Sequence, residues 1–279
     1  MTKHLFFKLL IKSLIFTIGM LVIWAVLNTL LDGRIWEGMT VSNSALKVEY
    51  CEFNNVSDLF HQKFNTYSNL AYFFFGVLVF QIGLNDFKTN NNQNRLQQFP
   101  ALSVLMGSCL IHLSFGSAFF HASLTYIGQR VDMNGTYSIS IVLLGIALYH
   151  VFTKIEFSDK VKKVWIIFLI LTIFAFIKIA LLISSTKLLL GMILIQTLLV
   201  LIIYFQNRKE KSLILAISSL ILMIIALKIR TLDVQKIDCN PHSFYQGHAI
   251  WHLLTALSSF CSYAFFRFSK LNLESFKNI

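Results

Sequence analysis

The chain is dominated by apolar stretches that are separated by short polar segments. An α-helix needs about 20 consecutive apolar residues to cross the hydrocarbon core of a bilayer. The stretches lack the strict alternation of polar and apolar residues that a membrane β-barrel requires. The pattern therefore predicts an all-α membrane protein with helices at Leu9–Leu31, Ser68–Leu84, Leu102–Thr125, Asp132–Phe152, Val164–Ile183, Leu188–Phe205, Leu213–Leu227 and Gly247–Phe268.

Composition supports a membrane location and argues against nucleic-acid binding. Hydrophobic residues make up 56% of the chain and charged residues only 13%, compared with about 25% charged residues in soluble domains. The net charge is +11, but most Lys and Arg residues lie in the short breaks between apolar stretches. In that position they set membrane topology, and they form no long basic surface for phosphates.

The distribution of basic residues predicts that both termini are cytoplasmic, because Lys and Arg collect in the loops on the cytoplasmic side. The first apolar stretch follows Lys3, Lys8 and Lys12 and could be either a cleaved signal peptide or a retained anchor. It is too long for an ordinary signal-peptide core and shows no evident cleavage site, so we expect a retained signal-anchor helix.

Three histidines from distant segments are predicted to reach the same membrane depth, on the extracytoplasmic side. His121 lies late in the third stretch, and His248 and His252 lie four residues apart at the start of the eighth. Residues at i and i+4 share one face of a helix. A lone histidine in a membrane helix is usually a packed core residue. Three neutral imidazoles at one depth instead indicate a catalytic zinc site with one open position.

Ser117 and Asp132 flank the first of these histidines. Ser117 lies one helical turn before His121, and Asp132 follows eleven residues later, past the polar break Gly128-Gln129-Arg130. Asp132 could be the N-cap of the fourth helix, a general base that takes a proton from water at the metal, or both. Ser117 could be a small residue at a helix contact or a donor to an oxyanion. The other five histidines are predicted to have no metal role.

A polar loop precedes the second helix and contains an oxygen-rich group, namely Glu49, Glu52, Asn54 and Gln62. From the sequence alone a solvated loop is favoured over a calcium site, because calcium usually takes six or more oxygen ligands. Cys51 and Cys239 both fall in predicted extracytoplasmic loops, where a disulfide can form. Cys109 and Cys261 fall within helices and are expected to be inert.

The combined motifs resemble the alkaline ceramidases, within a wider superfamily of seven-helix zinc hydrolases that includes adiponectin-receptor-like proteins. The resemblance rests on Ser117-x3-His121, Asp132, Cys239 and Gly247-His248-Ala249-x-Trp251-His252, together with Tyr50-Cys51-Glu52-x-Asn54 and Asn65-Thr66-x-Ser68-Asn69. It implies a seven-helix catalytic domain at 49–279, preceded by an additional N-terminal helix and loop at 1–48.

The resemblance also implies an activity. It implies Zn²⁺ held by His121, His248 and His252, with Ser117 and Asp132 in catalytic positions, and hydrolysis of the N-acyl bond of a ceramide-like membrane lipid to a sphingoid base and a fatty acid. It further implies a Cys51–Cys239 disulfide and a Ca²⁺ site on Glu49, Tyr50, Glu52, Asn54 and Gln62. Gln62 supplies a neutral oxygen where the family has an acidic ligand, which predicts weak calcium binding or none. Two alternatives remain open at this stage: hydrolysis of another acyl lipid, or a non-enzymatic lipid receptor stabilised by zinc.

Overall fold

The computed structural model describes residues 1–89, 94–152, 155–179, 182 and 185–268, and these residues are helical almost throughout. A 3₁₀ turn spans Gly33–Trp36. The α-helices are α1 (Lys3–Leu30), α2 (Asn43–Leu46), α3 (Lys63–Ser68), α4 (Leu70–Thr89), α5 (Pro100–Ser123), α6 (Tyr126–Val151), α7 (Asp159–Ile179), α8 (Ser185–Gln206), α9 (Leu213–Val234) and α10 (Gly247–Arg267).

The helices confirm the prediction of an all-α membrane protein, and α1 is the additional N-terminal helix that precedes the long helices α4 to α10. Seven spans in the described part of the chain are long and apolar enough to cross a membrane, counting α3 and α4 as one and including the N-terminal helix α1. Helix α7 is of similar length but carries Lys160, Lys162 and Lys163 in its first turns and is not among the seven. It corresponds to the predicted stretch Val164–Ile183, of which residues 180, 181 and 183 lie outside the described part.

The centre of the bundle consists of α4, α5, α6 and α10, and the other long helices pack around it. Helix α1 packs on α4, α7 and α8 pack on α6, and α9 packs on α10. Helices α4 and α5 approach closely at Gly107, where an added Cβ would lie 2.5 Å from the Phe80 backbone nitrogen. Small residues at such crossings allow membrane helices to pack by direct backbone contact.

A very tight turn joins α5 to α6. Leu124 ends α5 in the left-handed region at φ 53°, and the Thr125 side chain caps α6 by accepting a hydrogen bond from the Gly128 backbone N–H. The prediction that the fourth helix begins at Asp132 is therefore wrong. The predicted break at Gly128 is already helical, and Asp132 lies in the second turn of α6, from which its side chain faces the interior of the bundle.

Candidate metal centre

The three predicted zinc ligands converge in the interior of the bundle. His121 comes from the last turn of α5, and His248 and His252 come from the first two turns of α10. The ring centroids are separated by 4.6 to 5.1 Å, and each ring offers a nitrogen within 4.8 Å of the other two. All three side chains are buried. This arrangement could hold one metal ion.

Hydrogen bonds to neighbouring residues orient two of the three rings. His121 Nδ1 donates to Gln62 Oε1 at 2.7 Å, and His252 Nδ1 pairs with Ser68 Oγ at 2.7 Å. Partners of this kind fix the tautomer and orientation of metal-binding histidines. The third ring, His248, packs against the Tyr50 ring with 3.9 Å between centroids.

The donor set fits a zinc ion. His121 Nε2 and His248 Nδ1 are buried and have no hydrogen-bond partner among the described residues. An unpaired polar atom in an apolar interior is unfavourable, and a shared metal ion would satisfy both nitrogens. Three imidazoles with a fourth position for water or substrate are the usual ligands of a catalytic zinc.

Ser117 and Asp132 line the cavity beside the histidines, which has a volume of about 100 Å³. The Asp132 carboxylate interacts with the Ser117 hydroxyl and with the Arg230 guanidinium. Ser117 Oγ is nevertheless buried without a hydrogen bond of good geometry to any described residue. The structure thus brings a carboxylate and a hydroxyl to the same cavity as the imidazoles.

Sequence reasoning missed Arg230, which reaches this cavity from α9. Its guanidinium pairs with Glu49 at 3.4 Å and lies 5.9 Å from the centre of the Trp251 ring. An arginine inside a membrane helix is itself a signal of a functional site. The approach of Arg230 to Asp132 depends on the packing of α9 against α10, which the sequence does not reveal.

The other five histidines stand apart from the cluster. Within the part of the chain that the structure describes, His121, His248 and His252 form the one group of suitable residues that could hold a metal ion. His112 is exposed on the outside of α5, and His150 Nδ1 donates to the Ile146 carbonyl within α6.

Comparison with known protein families identifies the chain. The family model described as Ceramidase matches residues 42–278, which is most of the chain and includes every candidate site residue. The chain belongs to the ceramidase family. No curated protein matches the chain significantly.

In this ceramidase-family chain the predicted calcium ligands are engaged in other contacts. The Glu49 carboxylate pairs with Arg230. The Tyr50 carbonyl accepts a hydrogen bond from the Lys236 ammonium. Lys236 is also attracted electrostatically by Asp233 and Glu49, which partly offset the lowering of the Lys236 pKa by burial. A cationic side chain thus lies among the oxygens that would ligate a divalent ion.

The remaining oxygens of that set are also paired. The Glu52 carboxylate accepts hydrogen bonds from the backbone N–H groups of Phe64 at 2.6 Å and Asn65 at 2.8 Å, and burial raises the pKa of this carboxyl to about 7. The Gln62 side-chain amide donates to Asn54 Oδ1 at 2.7 Å, so that a donor group stands where calcium would need an acceptor. The residues as arranged do not fit a calcium ion.

The extramembrane loops are tied to the histidine cluster. Cys51 and Cys239 form a disulfide that connects the loop before α3 to the loop after α9. Asp233, at the end of α9, accepts hydrogen bonds from the backbone N–H groups of Cys51 at 3.1 Å and His248 at 3.2 Å. These links hold the first turn of α10, which carries His248, against the loop.

Proposed function

We propose that the protein is a zinc-dependent intramembrane amidase that hydrolyses the N-acyl bond of ceramide-like lipids to a sphingoid base and a fatty acid. Membership of the ceramidase family supports an amide hydrolase that acts on a lipid. The observation that carries the proposal is the buried cluster of three imidazoles beside the Ser117–Asp132 cavity.

The side chains that line the cavity can carry out each step of the hydrolysis. A zinc ion held by His121, His248 and His252 would supply a Lewis acid that lowers the pKa of water toward about 7 and polarises a carbonyl. Asp132 accepts a proton as the water oxygen bonds to the acyl carbon. Ser117 donates a hydrogen bond to the developing oxyanion. Asp132 then returns the proton to the nitrogen as the carbon–nitrogen bond breaks, which releases the amine and the acid.

We further propose that the site lies toward the extracytoplasmic side and that both termini are cytoplasmic. The distribution of Lys and Arg residues supports this orientation. The Cys51–Cys239 disulfide beside the site also supports it, because disulfides persist in oxidising compartments. The catalytic domain would comprise 49–279, with α1 as a retained signal anchor.

The test is Asp132→Asn in the purified, zinc-loaded, full-length protein, assayed for hydrolysis of ceramide in mixed micelles. We expect turnover to fall by at least 100-fold, since general acid–base catalysis typically contributes about 10²–10⁴-fold, while the zinc content stays the same. Asp159→Asn is the matched control, because Asp159 is exposed at the start of α7. Full activity of Asp132→Asn would refute the base role. Hydrolysis of other acyl lipids with no action on ceramide would refute the substrate assignment, and lipid binding without any product would refute an enzyme.

A further inference from the structure

A second cavity of about 140 Å³ lies deeper in the bundle, between α6, α8, α9 and α10. Most of its lining is apolar, including Leu143, Met192, Val200 and Phe265. This lining suits a hydrocarbon chain.

The deeper cavity is a neighbour of the catalytic cavity along the same helices. On α6, Thr136 lines the catalytic cavity and Ser140, one turn further on, lines the deeper one. On α9, Leu227 lines the catalytic cavity and Met223, again one turn away, lines the deeper one. Residues four apart lie above one another on a helix, so the two cavities lie about one helical turn apart.

The wall of the deeper cavity is weakest between α8 and α9. Both helices line the cavity, yet they pack sparsely against each other. The outward faces of both helices carry exposed large apolar residues such as Leu198 and Ile221, as expected of surfaces in contact with bilayer lipid. A lipid chain that enters the deeper cavity from the bilayer would therefore pass between α8 and α9.

The amide of Gln196 in the deeper cavity has no hydrogen-bond partner among the described residues. Both the Nε2 and Oε1 atoms of Gln196 are shielded from solvent and form no hydrogen bond with any described residue. Several other polar groups in the lining are paired: the Ser219 and Ser262 hydroxyls bond to each other at 2.6 Å, and Thr197 Oγ1 donates to the Ile193 carbonyl. An amide without partners in an apolar interior is costly, which indicates that it meets a polar group of a ligand.

Gln196 lies seven residues after Leu189, which lines the catalytic cavity, so it is about 10 Å further along the helix axis. An acyl chain that runs from the catalytic cavity past Leu189 therefore reaches Gln196 only some way beyond its carbonyl group. The sphingoid base carries hydroxyls next to the amide and suits the polar side of the catalytic cavity, near Arg230 and Tyr50. The acyl chain is the part of the substrate left for the deeper cavity.

We propose that Gln196 contacts the acyl chain of the substrate and selects chains that carry a hydroxyl or carbonyl group part-way along their length. This inference rests on the proposed amidase function and defines its substrate class. A hydroxyl can pair with either amide atom of Gln196. An unsubstituted chain leaves the Gln196 amide unpaired, and this penalty would make the enzyme prefer the substituted chain.

The experiment compares ceramides that carry an octadecanoyl chain, either unsubstituted or with a single hydroxyl at successive positions. For the zinc-loaded wild-type protein we expect kcat/KM to be about fivefold higher for the best-placed hydroxyl, the gain typical of one neutral hydrogen bond. Gln196→Met keeps the side-chain length and removes the amide, and we expect it to abolish or reverse this preference. Gln81→Met is the matched control, because Gln81 on α4 donates to Ser13 on α1, outside both cavities.

A binding measurement separates this proposal from the proposed activity. The shift in melting temperature produced by free hydroxylated and unsubstituted fatty acids is measured for the wild type and for Gln196→Met. A larger shift with the hydroxylated acid that Gln196→Met removes supports the proposal even if no amide is cleaved. Equal kcat/KM values and equal shifts for both chains in the wild type, or a preference that survives in Gln196→Met, would overturn it.

Discussion

Gln62 gives the sharpest prediction about the metal centre, because one side chain links the loop to a candidate ligand. It is 2% exposed, and its Oε1 accepts hydrogen bonds from His121 Nδ1 at 2.7 Å and Asn65 Nδ2 at 3.2 Å. The first bond keeps the proton on Nδ1 and leaves the Nε2 lone pair free for a metal. Gln62→Leu removes the acceptor while keeping a side chain of similar size.

We expect Gln62→Leu to weaken zinc affinity by about 10- to 100-fold, the usual effect of losing a hydrogen-bond partner of a metal ligand. This change corresponds to about 1.4 to 2.7 kcal/mol of binding free energy. The cost arises because the His121 Nδ1–H is left buried without an acceptor, or because the proton moves to the nitrogen that would bind zinc. Competition with a chromophoric chelator at fixed pH measures the dissociation constant.

Gln62→Glu is the informative counterpart, because a carboxylate keeps the acceptor for His121 and loses only the donor to Asn54. We expect its zinc affinity to equal or exceed that of the wild type. Gln81→Leu, a similar substitution away from the site, controls for general effects on the bundle, and melting temperatures identify loss of folding. Wild-type zinc affinity in a folded Gln62→Leu protein would refute this role of Gln62.

Two further predictions concern stability. Asp86 on α4 and Arg267 at the end of α10 form a fully buried ion pair with two hydrogen bonds at 2.6 and 2.8 Å. Asp86→Ala leaves the guanidinium without its carboxylate and should lower the free energy of unfolding by roughly 3–5 kcal/mol. Equilibrium unfolding in detergent measures this change, with Asp159→Ala as the control, and an unchanged free energy of unfolding would contradict the prediction. Because Lys236 lies among the predicted calcium ligands, millimolar Ca²⁺ should leave the melting temperature of the zinc-loaded protein unchanged; a saturable rise that a calcium-selective chelator reverses would show that calcium binds after all.

The arrangement of apolar stretches was enough to predict the helices, because a bilayer requires long apolar runs with internally paired backbones. The start of α6 was mispredicted for a local reason. The chain can turn at Leu124 because that residue adopts a left-handed conformation, and Thr125 then caps the new helix. No glycine or proline marks this turn, so the sequence pattern places the break at the polar residues around Gly128 instead.

The histidine cluster could be predicted because its members combine i, i+4 spacing with a common membrane depth. The residues that orient the histidine rings could not be predicted from the sequence. Gln62 was predicted only as a possible calcium ligand and Ser68 only as part of a family motif, and their contacts with His121 and His252 come from the packing of α3 against α5 and α10. Gln196 likewise has no distinguishing sequence pattern, and its unpaired amide is evident only in the folded bundle.

X-ray absorption at the zinc edge of the purified, zinc-loaded protein tests the central claim most directly. If His121, His248 and His252 share one ion, the spectrum will show about four nitrogen or oxygen ligands near 2.0–2.1 Å, with the outer-shell scattering of three imidazoles. In His252→Ala that scattering should weaken and zinc should be lost to a mild chelator. A sulfur ligand near 2.3 Å, or an unchanged spectrum in His252→Ala, would contradict the account.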